Sequence, residues 1–267
     1  MSTFTAVPQM LVAALLFAMA GASHAQDSAA VTDTFAACAA RALPERSMRQ
    51  TQQVKITSEL GWTRESVRSV YWQRFDDGTI KVLFHVERPP TEAGLKLLVV
   101  QAPNVDPVIH VYSPELDRVR RVVGSGASNS VLGTDFTFED ALYLQRFLAK
   151  NDGRAVTAGD VDGHPAWVAE VVPDEDRSAY SRIRTYIDKQ NCLPMKSEFY
   201  GANGTLDKTL LIERAAIELI DGHTIPARMV MTNHKQRQRT ELTATAVAIN
   251  IELPAGLFSL AAIEQHH

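Results

Sequence analysis

Residues Leu132–Leu148 read L-G-T-D-F-T-F-E-D-A-L-Y-L-Q-R-F-L, which is the best helix signal between two long runs of strand-like sequence. Thr137 and Asp140 have the spacing of a capping box, in which each side chain accepts a hydrogen bond from the backbone amide of the other residue. Glu139 and Asp140 also place negative charge at the positive end of the helix dipole. We therefore predict a helix that is capped at Thr137 and ends at residues 151–153.

The apolar side chains behind this cap form a face too broad for a helix surrounded by solvent. They are Phe138, Ala141, Leu142, Leu144, Phe147 and Leu148. We expect such a helix to cover a curved sheet as a plug or lid. Residues 124–130 before it and 151–153 after it are rich in Gly, Ser, Asn and Asp, so they are expected to act as hinges.

On both sides of the helix, apolar and polar residues alternate with the two-residue period of β-strands. A short first helix is expected at Asp33–Ala42, before this pattern begins. Asp76-Asp77-Gly78, Asn203-Gly204 and Asp221-Gly222 are hairpin signals between strands. The predicted strands are Thr51–Glu59, Val67–Phe75, Thr79–Val86, Leu95–Gln101, Val108–Tyr112, Arg118–Val123, Arg154–Val161, Ala166–Val172, Arg182–Asp188, Met195–Tyr200, Leu206–Ile220, His223–Asn233 and Thr240–Ile251. A meander of about a dozen strands is too large for a flat open sheet, so it should curl into a barrel or half-barrel.

Residues 1–25 have features of a secretory signal peptide. Met10–Ala20 is an apolar run too short to span a bilayer comfortably, and Ser23 and Ala25 are small residues at the positions that a signal peptidase reads. No Lys or Arg occurs before Arg41, so the basic start of a signal peptide is absent. An uncleaved anchor and an ordinary apolar segment are the alternatives. We expect cleavage near Ala25, which leaves a single domain over residues 26–267.

The composition narrows the classes of function. The net charge is −4 and the basic residues are scattered, which argues against a nucleic-acid partner. In an exported protein, Cys38 and Cys192 are expected to form a disulfide, with two buried free thiols as the alternative. Two cysteines without nearby histidines at suitable spacing do not form a zinc site, so no metal and no cofactor are predicted.

Candidate catalytic residues are weak. Asp135, Glu139 and Asp140 could do acid–base chemistry, but helix capping already explains their spacing. Five histidines occur singly, without a metal-binding pattern: His85, His110, His164, His223 and His234. His266 and His267 form a terminal pair that could bind stray metal and no more. The Ser-rich stretch 125–130 lacks the G-x-S-x-G motif of a nucleophile. We therefore do not predict an enzyme.

Large apolar side chains are spread over the predicted sheet. Most such residues form core, but together they could line a cavity for an acyl chain, because an apolar wall suits a ligand with few polar groups. They are Trp62, Tyr71, Phe84, Leu97, Val99, Phe136, Phe138, Trp167, Tyr186, Phe199, Met229 and Met231, with Leu142 on the covering helix.

Two basic runs complete the candidate sites. Arg118 and Arg120 share one strand face, as do Lys235, Arg237 and Arg239. Such charges commonly block edge-to-edge pairing of a sheet. The alternative is a docking patch for an anionic lipid surface or a partner protein.

Several stretches match one family pattern in order. They are R-V-R-R at 118–121, G-T-D-F-T-F-E-D at 133–140, the Trp167 strand, Y-I-D-K at 186–189, L-P-M-K-S-E-F-Y at 193–200, G-T-L-D-K at 204–208 and L-F-S at 257–259. From about Leu60 to Leu260 the chain resembles the outer membrane lipoprotein-sorting protein family, relatives of the periplasmic carrier LolA. The resemblance implies a mainly β fold with a few helices, in which a curved antiparallel sheet forms an unclosed barrel around an apolar cavity.

The resemblance also implies a role in lipid trafficking. Members often accompany membrane exporters of the RND or MMPL type, so the expected protein is a periplasmic carrier or chaperone that binds lipid or lipoprotein acyl chains. A monomer is favoured. An envelope-stress or lipid sensor that regulates a membrane partner is the alternative, and an envelope hydrolase is the third hypothesis.

Overall fold

The side chains of the strands alternate between a buried and an exposed face. In the first strand Val54 and Ile56 are buried, whereas Gln53 and Lys55, which alternate with them, are exposed. This alternation puts the apolar side chains of neighbouring strands on one face, where they pack together. The computed structural model describes Cys38 and residues 44–103, 105, 107–122, 129–140, 143, 155–174 and 178–264.

The elements within these ranges are mostly strands. A 3₁₀ turn at Arg214–Ala216 and a C-terminal helix α1 at Leu260–Glu264 are the helical elements with defined bounds in the described part. The strands are β1 (Ser47–Ser58), β2 (Thr63–Arg74), β3 (Ile80–Arg88), β4 (Lys96–Gln101), β5 (Val108–Ser113), β6 (Arg118–Val122), β7 (Ala155–Val161), β8 (His164–Val171), β9 (Tyr180–Asp188), β10 (Pro194–Gly201), β11 (Leu206–Ile212), β12 (Ile217–Ile220), β13 (His223–Pro226), β14 (Arg228–Asn233) and β15 (Gln238–Ile249).

Thirteen of these strands form one antiparallel sheet. Its order is β6-β5-β4-β3-β2-β1-β15-β14-β11-β10-β9-β8-β7, and β12 and β13 form a separate two-stranded sheet. Strands β6 and β7 are the two edges and do not pair with each other, so the sheet is not closed. The prediction of an antiparallel, unclosed barrel-like sheet is confirmed.

The connection between β6 and β7 has to cross the sheet. These strands follow each other along the chain, yet they lie at opposite edges. The described part of the connection, residues 129–140, is called the crossing segment here. Val131, Phe136 and Phe138 of this segment pack into the largest hydrophobic cluster, so the segment lies on the inner, concave face of the sheet.

This concave cluster is the main core of the protein. Its strand residues come from both halves of the sheet and are Val54, Ile56, Val70, Trp72, Ile80, Val82, Leu97, Val99, Ile109, Tyr180, Ile183, Phe199, Leu210, Met231 and Leu242. The convex face has a smaller cluster, in which Leu83 and Leu98 contact Phe258 and Ile263 of the C-terminal segment.

Two predicted strands are shorter than expected. The predicted strand Leu206–Ile220 stops at Ile212, and His223–Asn233 is divided at Ala227. The residues between these two breaks are not part of the main sheet. They form the β12–β13 hairpin, in which Ile217 pairs with Pro226. Because proline has no N–H, it cannot donate to a further strand, and this limits the pairing of the hairpin. The adjacent polar residues Glu213 and Arg214 interrupt the alternation at the first break, and Pro226 precedes the second, so both breaks had a signal that the prediction did not use.

The predicted disulfide is present. Cys38 and Cys192 are bonded across a sequence separation of 154. Both are buried and pack with Trp167, Ala169 and Ile187 in a second cluster beside the concave one. Cys38 is helical, in agreement with the predicted first helix. The remainder of that helix, the expected signal peptide at residues 1–25 and the expected hinge at 151–153 lie outside the described residues.

Replacing both cysteines by serine should lower the free energy of unfolding, because the bridge restricts the unfolded chain. For a loop of this length, chain-entropy models give about 5 kcal/mol, and real bridges often contribute less. Urea unfolding of Cys38→Ser/Cys192→Ser beside the wild type measures the difference. A thiol assay on the denatured, non-reduced wild type should detect no free thiol, and two thiols per chain would contradict the pairing.

Candidate functional site

The crossing segment is a small structure of its own. The Val131 amide donates to the Phe136 carbonyl at 2.7 Å, and the Phe138 amide donates to the Asn129 carbonyl at 3.2 Å. An isolated antiparallel bridge joins Ser130 to Thr137. Among the described residues, the backbone–backbone hydrogen bonds of the segment are therefore internal, and its contacts with the sheet are made through side chains.

The capping box predicted from the sequence is confirmed. The Thr137 amide donates to Asp140 Oδ2 at 2.7 Å, and the Asp140 amide donates to Thr137 Oγ1 at 3.2 Å. Helical residues begin at Phe138, and Tyr143 is also helical. Ala141, Leu142, Leu144, Phe147 and Leu148, which were expected on the apolar face, lie outside the described residues.

A buried ionic group joins the start of this helix to the sheet. The Asp140 side chain is 0% exposed and accepts hydrogen bonds from Lys208 Nζ at 2.9 Å and from the Tyr180 hydroxyl at 2.7 Å. Burial, followed by the nearby charge of Asp140, raises the pKa of Tyr180, so this phenol remains a donor at neutral pH. Asp140 is thus bonded to its own cap, to β11 and to β9.

Asp135 and Glu139 bond residues that lie outside the crossing segment. The Thr240 hydroxyl donates to Asp135 Oδ2 at 2.7 Å and accepts from the Asp135 amide at 2.9 Å. Glu139 accepts hydrogen bonds from the Ser178 hydroxyl and, at 3.2 Å, from the Ala179 amide. Burial raises the pKa of both carboxyl groups. Of the three carboxylates only Asp140 caps the helix, whereas Asp135 and Glu139 bond residues outside it.

Arg64 of β2 joins the sheet to the crossing segment. Its Nη2 donates to the Leu132 carbonyl at 2.8 Å, and its Nε lies 3.5 Å from Glu92. Gly133 has φ of +73°, and a Cβ there would lie 2.8 Å from Arg64 Nη2. Glycine is therefore required at 133 both for the backbone conformation and for the close approach of the guanidinium.

Most predicted cavity residues lie on the concave face, where the crossing segment covers them. Those buried in the concave cluster are Leu97, Val99, Phe136, Phe138, Phe199 and Met231, and Phe84 and Met229 are partly buried against it. Tyr143 of the helix contacts this wall, with its ring 6.1 Å from that of Phe199 and its hydroxyl 3.1 Å from Thr185.

The other predicted cavity residues lie elsewhere. Trp167 packs beside the disulfide, and Tyr186 packs against a third cluster that includes Leu193 and Met195. Tyr71 packs on the convex face with the C-terminal segment. Trp62 is 49% exposed on the β1–β2 turn. Tyr71, Trp167 and Tyr186 lie on strands, but the alternation of a strand does not say which of its faces is concave.

The basic residues form two separate groups. Arg118 and Arg120 lie on the edge strand β6, which five strands separate from β15. Lys235, Arg237 and Arg239 lie at the β14–β15 turn, where Arg237 Nη1 is 3.1 Å from Glu59 Oε2. Only this second group adjoins the turn between β1 and β2.

That turn exposes apolar side chains next to basic ones. Leu60 is 93% exposed and Trp62 is 49% exposed. The Glu59 amide donates to the Arg237 carbonyl at 2.9 Å, which keeps the β1–β2 and β14–β15 turns side by side. We call residues 59–62 and 234–237 the paired tips.

Arg68 is a residue that the sequence interpretation missed. It is 3% exposed and occupies the concave face of β2, in phase with Val70 and Trp72. A basic residue at an inward position of an alternating strand is a signal that could have found it.

In the part of the chain that the structure describes, no group of three or more His, Cys, Asp or Glu side chains is arranged to hold a metal ion. Nor is any helix there long and apolar enough to cross a membrane.

Replacing Lys208 by methionine should destabilise the protein strongly, because it leaves the Asp140 charge buried without its cation. Removing one partner of a buried ion pair typically costs about 3–5 kcal/mol. Lys55→Met is the matched control, since Lys55 and Glu65 form a pair with side chains 50% and 69% exposed, for which a loss of at most about 1 kcal/mol is expected. Equal unfolding midpoints in urea for the two variants would contradict the role assigned to Lys208.

Comparisons with known proteins agree with this architecture. A family model described as "Uncharacterized protein" matches residues 78–265, which is more than half of the chain. No curated protein matches the chain. Among solved structures, a domain assigned to outer membrane lipoprotein sorting from Vibrio parahaemolyticus is 20% identical, with a TM-score of 0.77 over 88% of this chain and 98% of that one.

Two further structures have the same fold. A DUF1329 family protein from Desulfovibrio piger is 22% identical, with a TM-score of 0.76 over 88% of this chain and 98% of that one. A LolA superfamily protein from Nitrosomonas europaea is 16% identical, with a TM-score of 0.63 over 85% of this chain and 97% of that one. The chain therefore belongs to the family described by the matching model, and its fold is that of the outer membrane lipoprotein-sorting proteins of the LolA superfamily.

Proposed function

We propose that this protein is an exported periplasmic carrier that binds acyl chains of a lipid or lipoprotein between the concave face and the crossing segment. The observation that carries the proposal is the way this segment is attached. It covers an apolar wall through side chains, while its backbone–backbone hydrogen bonds are internal. It can therefore leave the wall without breaking the sheet.

An acyl chain has enough apolar surface to replace the segment. Burying a large apolar side chain is worth about 1.5–3 kcal/mol, and burying one methylene is worth about 0.8 kcal/mol. About ten methylenes therefore offset the exposure of Val131, Phe136 and Phe138. A single long acyl chain meets this apolar requirement, and the polar contacts of Asp135 and Asp140 with the sheet must also break when the segment moves. The apolar wall contacts the acyl chain alone, so the sequence of an attached protein does not matter.

The disulfide supports the proposed location. Bridges persist in oxidising compartments such as the periplasm, and Cys38–Cys192 is buried in a folded cluster. Cleavage near Ala25 and a single domain over 26–267 belong to this proposal. We also propose that a membrane exporter of the RND or MMPL type exchanges ligand with the carrier, as the resemblance implies.

The paired tips are the surface that we propose for contact with the membrane. Trp and Leu side chains are suited to the bilayer interface, and each nearby Lys or Arg adds about 1 kcal/mol of attraction to an anionic leaflet. Leu60 and Trp62 supply the apolar contribution and Lys235 supplies positive charge, while Arg237 is paired with Glu59 in the same tips. Arg118 and Arg120 lie on the exposed edge strand β6, where we propose that their charges prevent pairing with the edge of another sheet.

Locking the crossing segment to the sheet should prevent ligand binding. Asp135 and Thr240 are in direct contact, so Asp135→Cys with Thr240→Cys is expected to form a cross-link under oxidising conditions, which mass spectrometry can verify. We expect the cross-linked form to bind a fluorescent fatty-acid analogue at least ten-fold more weakly than the same variant after reduction.

The wild type treated with the same reductant is the control, because the reductant can also open Cys38–Cys192. Equal affinity of the cross-linked and reduced forms would show that the crossing segment is not the lid. A wild type that binds neither the analogue nor any lipid from an envelope extract would reject the carrier function itself.

The tips can be tested on vesicles. Leu60→Asp should reduce co-sedimentation with vesicles that contain phosphatidylglycerol, because it replaces an inserted apolar side chain by a charge that the anionic surface repels. Leu219→Asp is the matched control, since Leu219 is 75% exposed on β12, beyond the other end of β11. Vesicles of phosphatidylcholine alone should bind the wild type more weakly. Co-sedimentation of Leu60→Asp at the wild-type level would contradict the assignment.

A further inference from the structure

Arg68 is a buried cation in an apolar wall. It lies on β2 opposite Gln52 of β1 and Val86 of β3, and its guanidinium carbon is 5.9 Å from the centre of the Phe84 ring. Only 3% of the residue is exposed. Buried charges in proteins are normally paired or hydrogen-bonded, because an unpaired one is costly to desolvate.

The expected partner is missing from the described residues. Nε of Arg68 has no hydrogen-bond partner there. Glu92 is the carboxylate that favours its charged form, but it is 3.5 Å from Arg64 Nε, as an ion pair. The concave face thus holds a guanidinium whose buried Nε lacks an acceptor in the described chain, and no described carboxylate forms an ion pair with it.

Arg68 remains charged in this setting. Burial, followed by repulsion from Arg64, lowers its pKa to about 10, which is still well above neutral pH. An uncharged side chain could tolerate the apolar wall without a partner. A permanent cation instead favours an anion that enters the wall.

The surroundings of Arg68 match an amphiphile with an acidic end. Gln50 and Gln52 are buried on the same face of β1, and they add polar groups beside the guanidinium. Farther along β2, Val70 and Trp72 begin the apolar wall. In the other direction, Arg64 on the same strand bonds the crossing segment at Leu132.

We propose that Arg68 binds the acidic oxyanion of the ligand, a carboxylate or phosphate at the end of an acyl chain that lies along the concave wall. This inference rests on the proposed carrier function. The guanidinium offers the paired donors that such an oxyanion accepts bidentately. The ligand supplies the charge that the protein lacks there, so the carrier selects anionic over neutral amphiphiles.

The preference can be measured with three probes that share one alkyl chain: dodecanoic acid, dodecyl phosphate and dodecanol. The wild type should bind the two acids at least ten-fold more tightly than the alcohol, because hydrogen bonds to charged groups contribute more than neutral ones. The tighter of the two acids distinguishes a fatty-acid source from a phospholipid source.

Arg68→Met should abolish the preference by weakening the acids at least ten-fold while leaving dodecanol unchanged. Arg68→Lys should keep part of the preference, because it retains a positive charge but not the fork of donors. Arg74→Met is the matched control, since it removes an exposed arginine from the same strand and should leave the preference intact. Circular dichroism on each variant establishes that the compared proteins are folded.

The outcomes separate this inference from the carrier function. If Arg68→Met keeps the wild-type preference, or loses affinity for all three probes equally, Arg68 is structural and the inference is wrong while the carrier stands. If the wild type binds none of the probes, the carrier function fails as well. Loss of the preference in Arg68→Met alone supports the assignment.

Discussion

The structure depends on one topological constraint: the chain leaves the sheet at β6 and returns at β7, which are its opposite edges. The intervening residues have to pass over the concave face, and they carry the apolar side chains that this face needs. An open sheet with thirteen strands would otherwise expose its whole inner wall to water. The cover is therefore built from the same chain, and it is not part of the hydrogen-bonded ladder.

Charged side chains hold the crossing segment on the sheet, and another charged side chain indicates what could bind beneath it. Asp140 is buried completely and is compensated by Lys208 and Tyr180, so it fastens the start of the helix to β9 and β11. Arg68 is buried almost as deeply without an equivalent partner. A buried pair holds a fold together, whereas a buried charge without a partner needs a compensating ion. This contrast distinguishes a structural contact from a candidate binding residue in the same wall.

Local signals in the sequence were sufficient for the elements themselves. The capping box at Thr137 and Asp140, the Asp-Gly and Asn-Gly turns and the alternation of the strands each involve residues a few positions apart. The disulfide was expected because a chain predicted to be exported contains two cysteines. The break after Ile212 was missed although Glu213 and Arg214 interrupt the alternation there, because apolar residues resume after them and only the pairing of β11 with β14 shows where the strand ends.

The sequence by itself therefore determined that this chain forms a long antiparallel meander with one capped helix between its halves. Only the tertiary structure decided which face of each strand is covered, because that depends on contacts between residues far apart in the chain. Trp62 and Trp72 show the same aromatic signal, yet one is half-exposed on a turn and the other is buried under the crossing segment. The phase of Arg68 with Val70 and Trp72 can be read from the sequence, but its burial depends on the residues packed around it, which only the tertiary structure brings together.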